Sequence, residues 1–505
     1  MKQENKKDWV EETLDPDDWE SMRKLGHKML DDMLDYLRTV RERPVWRHVP
    51  DKVKASFSEP VPEQPMPPEE IYEEFVEKVL PYPIGNIHPR FWGWILGTGT
   101  VMGSFAELLA ASMNTNTGGG DNHIANHVEK QVIEWIKEML RYPSSASGVL
   151  TSGCSAANII GLTVARNAKS GFNLRRKGLQ AASKKMVLYA SQEVHSSIQK
   201  AIELLGLGNE ALRLLPVNEY FQIDLQTLKA TIARDRNFGY LPFCVVGAAG
   251  TTNTGGIDDL DALSNLCQQE NLWLHVDGAF GAWAALAPKS RKKVHGIERA
   301  DSLALDLHKW MSMPYEIGCA LVRHEAQHRG AFSLMPEYLA HGEGGRGLSG
   351  GDLPWFSDYS FQLSRGFRAL KAWISLKEHG SSKYARLIQQ NIDQAFYLGE
   401  LVKASPELEL SAPITLNVVC FRYVTPGTKG DALNKVNKQI VIELQEQGIA
   451  VLSGTVIKGK YVLRAANSNH RSRREDFDFL IREVIRIGKE LNGGHQVKRP
   501  KPHDV

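Results

Sequence analysis

The stretch ADSLALDLHKW, residues 300–310, decides how this chain is read. Leu303 to Leu307 is a short apolar run of strand type, and Lys309 stands just beyond it. An ammonium at the end of a buried strand is costly, because it leaves water badly. Taken alone, Lys309 would be a solvated lysine at a strand end, as most lysines are. Its surroundings argue otherwise. The runs MVLYA (186–190), FCVVGAA (243–249) and LWLHVD (272–277) precede it, CALVR (319–323) follows, and amphipathic helical stretches separate them. This alternation predicts an α/β fold, a mainly parallel sheet wrapped by helices. Ligands of such sheets bind at the C-terminal ends of the strands.

Three further motifs lie at predicted strand ends. Asp277 closes LHVDGA (274–279). A carboxylate there needs a partner or serves as a helix cap, and alone the two readings weigh about equally. The turn LTSGCSAAN (150–158) leads into small residues that begin a helix. Free N–H groups and the helix dipole make such a turn an anion site, with the Ser155 hydroxyl as an extra donor. In YASQEVHSS (189–197), His195 stands where an imidazole could stack on a planar ring, although an incidental histidine in a capping region is the simpler reading. In order, the four motifs supply an anion turn, a ring-stacking histidine, a buried carboxylate and a lysine. Pyridoxal 5′-phosphate (PLP) uses all four, since its pyridine nitrogen stays protonated beside a buried carboxylate.

Bulk properties set the frame. The chain has 505 residues, 61 basic and 59 acidic, for a net charge of +2. That length implies more than one core, and the balanced charge gives no reason to expect nucleic acid or an anionic membrane as partner. The five cysteines form no CxxC pair, which argues against a disulfide framework or a zinc site and fits a reducing compartment. The polar start MKQENKKDWVEE lacks a signal-peptide core, so a cytoplasmic protein is expected. Residues 1–95 read as an N-terminal helical arm with a Pro-rich segment, residues 96–385 as the large domain and residues 386–505 as a small α+β domain. In the last, 416–424 and 460–467 read as strands, and 433–448 and 475–491 as helices.

The motifs together resemble those of group II PLP-dependent amino-acid decarboxylases, the family of the aromatic-L-amino-acid, histidine, glutamate and cysteine-sulfinate enzymes. HPRFWGW (88–94), AGTTNTGGIDDL (249–260), LSRGFRALKAW (363–373) and VLRAANSNHR (462–471) extend the resemblance over nearly the whole chain. It implies the PLP-dependent transferase fold of type I, with a seven-stranded sheet, and a homodimer whose active sites lie at the subunit interface. It implies that Lys309 holds the cofactor covalently, that Asp277 pairs the pyridine nitrogen, that Ala279 lies against the ring and that His195 stacks on it. It also assigns the phosphate to Gly153, Cys154 and Ser155, places His308 close to the cofactor, and puts Ala248 where relatives carry a threonine.

The chain departs from the family at Asp306, where relatives have asparagine. A carboxylate there would repel a phosphate dianion unless turned away. Family members carry a catalytic loop tyrosine, and Tyr359, after the glycine-rich stretch 341–360, is the candidate. Tyr359 or His195 would protonate the substrate's Cα. The substrate pocket is expected from Trp92, Trp94 and Ile95, beside Phe91, which favours an aromatic side chain. Arg90 and His123 would instead suit an acidic substrate. The expected reaction is decarboxylation of an L-amino acid to an amine and CO2. The alternatives are decarboxylation with deamination to an aldehyde, transamination or desulfuration on the same fold, and a non-catalytic homologue.

Overall fold

The computed structural model describes residues 11–120, 122–334, 347–348 and 355–493. Its centre is a sheet of seven strands: β1 (Ser147–Thr151), β2 (Met186–Ser191), β3 (Leu212–Leu215), β4 (Leu241–Ala248), β5 (Trp273–Asp277), β6 (Ser302–Asp306) and β7 (Gly318–Val322). They lie in the order β1-β7-β6-β5-β4-β2-β3. β3, β2, β4, β5 and β6 run parallel, and β7 runs antiparallel to both β6 and β1. β1 therefore points the same way as β5 and β6, and the ends of all three share one edge. Every residue of β1, β2, β5, β6 and β7 is buried. This is why these strands read as unbroken apolar runs: helices cover both faces of the sheet.

The small domain is an antiparallel sheet in the order β10-β11-β9-β8, formed by β8 (Leu408–Leu410), β9 (Val418–Tyr423), β10 (Ser453–Ile457) and β11 (Lys460–Ala466). The helices Gly430–Glu446 and Arg474–Asn492 pack on it, burying among others Leu444, Phe477 and Val484. A long helical segment, Ala369–Ala404, joins the two sheets and is broken at Gly380, whose φ is 67°.

The N-terminal helix Trp19–Arg38 starts on Asp18, whose carboxylate accepts the N–H groups of Glu20 and Ser21. It buries only Leu25. The chain beyond it is fixed to the small domain: Arg41 pairs with Asp476 at 2.7 Å and Val45 N–H donates to the Gly448 carbonyl.

Candidate active site

The ends of β1, β2, β5 and β6 bring Gly153, His195, Asp277 and Lys309 to one cleft. Lys309 follows β6 after a turn and keeps 22% of its side chain exposed. Its Nζ lies 2.9 Å from Asp306 Oδ2. Burial works against the charge on Lys309, but Asp306 prevails and holds the amine above the ordinary lysine range. Asp306 Oδ1 accepts the Cys154 N–H at 2.6 Å. The aspartate thus joins the lysine to the turn after β1.

That turn needs glycine for close approach. A Cβ on Gly318 would sit 2.7 Å from the Gly153 backbone and 2.9 Å from Asp306 Oδ1. The helix Cys154–Lys169 begins here. Ser155 is exposed, and among the described residues no acceptor meets the N–H groups of Ser155 and Ala156. These are open helix-start donors.

Asp277 is buried, and its two oxygens are unequally used. Oδ1 faces Cys154 Sγ at 3.4 Å and accepts the Ala279 N–H at 3.2 Å, while among the described residues Oδ2 accepts only the Asn158 amide, at 3.2 Å. Oδ2 keeps a lone pair for a further donor. Cys154 is a filled, inert position, since burial and the neighbouring Asp277 push its thiol far up.

His195 caps the helix Ser196–Leu204, and its Nδ1 meets the Ser197 hydroxyl at 2.7 Å and accepts the Ser197 N–H at 3.2 Å. Burial lowers its basicity, while the charge of Asp277 partly offsets this. The ring is thus a neutral imidazole with its proton on Nε2. His308 Nδ1 accepts the Ile317 N–H at 3.1 Å, its ring lies against Tyr315 at 4.4 Å, and its Nε2 is 3.7 Å from Asp306. Ala279 is partly buried, and its carbonyl accepts the Asp306 N–H. Ala248 pairs with Asp277 across β4 and β5. The cleft therefore supplies an amine, a carboxylate with an open lone pair and an anion turn.

A family model described as the pyridoxal-dependent decarboxylase conserved domain matches residues 50–424. The chain belongs to this family. It is a PLP-dependent carboxy-lyase of fold-type I, and the three groups in the cleft fit that cofactor. An aromatic-L-amino-acid decarboxylase from Bacillus atrophaeus is 34% identical over 484 residues, 94% of this chain and 96% of that one. A phenylacetaldehyde synthase from Arabidopsis thaliana is 28% identical over 463 residues, 90% and 93% of the two chains. The structure of Catharanthus roseus tryptophan decarboxylase in complex with L-tryptophan is 26% identical, with a TM-score of 0.84 over 94% of this chain and 100% of that one.

Several residues expected in this decarboxylase's site lie elsewhere. Trp92 is fully buried in the core of the small domain, stacked on Phe477 at 4.7 Å, with its Nε1–H on Ser472 Oγ at 3.0 Å. It lines no pocket. Ile95 belongs to the main core, and Phe91 packs with Val45 and Val451. Trp94 alone of the expected pocket offers its ring, at 56% exposure. Arg90 stands over Phe479 and donates to the Ile449 carbonyl, which removes it from the cleft. His123 starts the helix Ile124–Leu140, with Nε2 3.3 Å from the Gly119 carbonyl. Tyr359 is buried; its hydroxyl donates to Glu325 at 2.5 Å and its ring meets His328 edge-on. It does not reach the cleft. Of the glycine-rich stretch before it, residues 341–346 and 349–354 lie outside the described residues.

Sequence reasoning missed Asn158, Ser197, His275 and Gly97. A Cβ on Gly97 would lie 1.9 Å from the His308 carbonyl oxygen, so the segment after Trp94 presses on the lysine's own backbone. The two glycines of HPRFWGWILG (88–97) were a usable signal of close approach.

Proposed function

We propose that the chain decarboxylates an aromatic L-amino acid, releasing the corresponding amine and CO2, and works as a homodimer in the cytoplasm. The observation that carries this reading is the meeting of Lys309, Asp277 and His195 at the ends of β6, β5 and β2. The aromatic substrate is supported by the relative from Bacillus atrophaeus and by the tryptophan decarboxylase structure.

In this reading Lys309 would hold the cofactor, Asp277 Oδ2 would take the pyridine N–H, and the turn Gly153–Cys154–Ser155 would take the phosphate on the N–H groups of Ser155 and Ala156, the Cys154 N–H being held by Asp306. Ala279 and the His195 ring would pack against the cofactor, with His308 close by. Bound PLP supplies the sink for the electrons left when the carboxyl group departs. Lys309 Nζ shares its proton with Asp306 and must release it before it can act as a nucleophile. Among the described residues His195 Nε2–H meets no acceptor, which leaves it as a donor for the substrate. Tyr359 is no proton donor here, because its own proton is spent on Glu325. Between residues 333 and 368 the other tyrosine is Tyr338, which lies outside the described residues. We assign the loop tyrosine of the family to it.

Dimer formation is supported by apolar side chains that the chain leaves open. On the helix Val101–Met113, Leu108, Leu109 and Met113 are 62%, 51% and 52% exposed, and Trp19 on the N-terminal helix is 62% exposed. Uncovered apolar surface of this kind marks an interface. A cytoplasmic setting is supported by five free cysteines, all buried, and no helix among the described residues is long and apolar enough to cross a membrane.

The test is a scan of L-amino acids with PLP-loaded protein, following CO2 and the organic product. Amine with CO2 from tryptophan, tyrosine or phenylalanine supports the reading. Aldehyde with ammonia moves the chain to the oxidative reaction for which the Arabidopsis relative is named. Turnover by K309A would sink the assignment of Lys309.

A further inference from the structure

Beneath the cleft runs a chain of buried polar side chains that the reaction, as described so far, does not use. The Trp273 indole N–H donates to Ser302 Oγ at 2.8 Å. Ser302 Oγ lies 2.8 Å from His275 Nδ1, and His275 Nε2 lies 2.9 Å from Asn158 Oδ1. The Asn158 amide nitrogen has two partners, Asp277 Oδ2 at 3.2 Å and Ser197 Oγ at 3.0 Å. Ser197 Oγ then meets His195 Nδ1 at 2.7 Å. Trp273, Ser302, His275, Asn158 and Ser197 are all at most 3% exposed, so water does not compete for these bonds.

One direction of donation satisfies every member. An indole nitrogen can only donate, so Ser302 accepts from Trp273 and gives its own proton to His275 Nδ1. His275 then carries its ring proton on Nε2 and donates to Asn158 Oδ1. That fixes the amide: its oxygen faces His275, and its two N–H groups face Asp277 and Ser197. Ser197 accepts one of them and gives its hydroxyl proton to His195 Nδ1. The proton of His195 is left on Nε2, toward the cleft. His275 stays neutral, with burial bringing it down to about 4.

The helix that carries Asn158 is shaped for this. Gly161 stands three residues on, where a Cβ would lie 2.6 Å from His275 Cε1 and 3.1 Å from Ser302 Oγ. A glycine inside a helix is destabilising relative to alanine. Here it makes room for the His275 ring.

We propose that Asn158 is a positioning residue that locks the Asp277 carboxylate and the His195 ring into one hydrogen-bonded unit of fixed proton direction. Asn158 touches neither substrate nor cofactor and acts through Asp277 and Ser197. The inference rests on the reading of Asp277 as partner of the pyridine nitrogen.

The experiment compares the wild-type holoenzyme with N158A, N158D, S197A and D277A. It measures PLP affinity, the visible absorbance band of the bound cofactor, and the ring-nitrogen NMR shifts of histidine-labelled protein, with H195N to assign His195. Wild type is expected to show His195 protonated on Nε2. N158A removes a buried donor to a carboxylate and should weaken PLP binding about tenfold or more and move the visible band. In N158D the donor to Ser197 becomes an acceptor and the Ser197 hydroxyl turns away from His195 Nδ1, which keeps only the Ser197 N–H, so the His195 ring-nitrogen shifts should move from their wild-type values. S197A removes one hydroxyl at a helix start, so it tests the His195 end even if the Asn158 variants do not fold; it should move the band. Wild-type affinity and band in N158A, or in S197A if N158A does not fold, would overturn the proposal, as would a wild-type His195 protonated on Nδ1. D277A separates the two levels. If D277A keeps PLP affinity and band, the role of Asp277 itself fails; if D277A loses both while N158A keeps both, only the role of Asn158 fails.

Discussion

Tyr359 donates its hydroxyl proton to Glu325 across 2.5 Å, and this bond ties the short turn Phe356–Tyr359 to the helix Glu325–Phe332. The tie is reinforced by Arg329 with Asp358 at 3.1 Å and by His328 Nε2 at 2.8 Å from the Tyr359 carbonyl. Burial and the bond to Glu325 both push the phenol above its ordinary range, so it gives up a proton less readily than a free tyrosine. Y359F should lower stability by about 1 kcal/mol, the worth of one ordinary hydrogen bond, and leave amine production intact. Y338F should abolish amine production. Thermal unfolding and turnover of both variants check this; a dead Y359F with an unchanged Tm would sink it.

Trp92 and Phe477 form a stack inside the small domain. W92F loses the bond to Ser472 and part of a filled volume, so it should cost about 1–3 kcal/mol of stability. The preference among aromatic substrates should stay as it is. An altered preference with an unchanged Tm would put Trp92 back in the pocket.

Asp306 places a carboxylate between an anion turn and the lysine. D306N keeps an acceptor for the Cys154 N–H and removes the charge. PLP should then bind on the order of tenfold more tightly, since a repelling charge within a few ångströms is gone. The same change should weaken the cofactor-free protein, because the ion pair with Lys309 is lost. Lys309 is raised in the fold, so that contribution is fully present below the ordinary lysine pKa and disappears as pH rises past the folded value. PLP titration and unfolding of cofactor-free D306N test both; weaker PLP binding would contradict the first.

Acid should destabilise the fold before the carboxylates of the unfolded chain titrate. Burial brings His88 and His328 down to about 3 and His275 and His470 down to about 4. Each is neutral in the fold but takes a proton when unfolded, below about pH 6.5. Stability is therefore present above that pH and falls toward pH 4, by about 1.4 kcal/mol per unit for each group. Asp258, pushed up to about 6 by burial, and Asp301, also raised by burial, work the other way and leave a net loss. Urea midpoints measured between pH 7 and 5 should fall; a constant midpoint would refute this balance.

Glu129 and Arg365 form an ion pair with no exposed side-chain surface, and the same groups bond the N–H and carbonyl of Leu150, just before the anion turn. E129Q leaves a buried guanidinium unpaired and should cost about 3–5 kcal/mol. The double variant E129Q/R365M should recover much of that loss. A double variant as unstable as E129Q alone would show that the pair is not the cause.

Legibility followed the range of the interactions. Lys309, Asp277, His195 and the turn at Gly153 could be read because each sits at the end of a strand, and a strand end is a local pattern of apolar residues. The fates of Trp92, Tyr359 and Arg90 could not. An aromatic or arginine side chain goes where distant partners let it, and Phe477, Glu325 and Ile449 carry no mark in the sequence near them. Asn158 was hidden for the same reason: its partners Ser197, His275 and Asp277 come from three other segments. β3, β8 and β10 are short or half-exposed and lack the apolar run that announced β5 and β6.

The anion turn follows β1, and β1 has a single neighbour in the sheet, β7. Residues 147–151 thus wait for residues 318–322 before their backbone is paired. During synthesis the Asp277 and Lys309 ends of the cleft can form while β1 is still loose. The anion turn is thus anchored by the last strand of the sheet in chain order, which follows both Asp277 and Lys309 in the sequence.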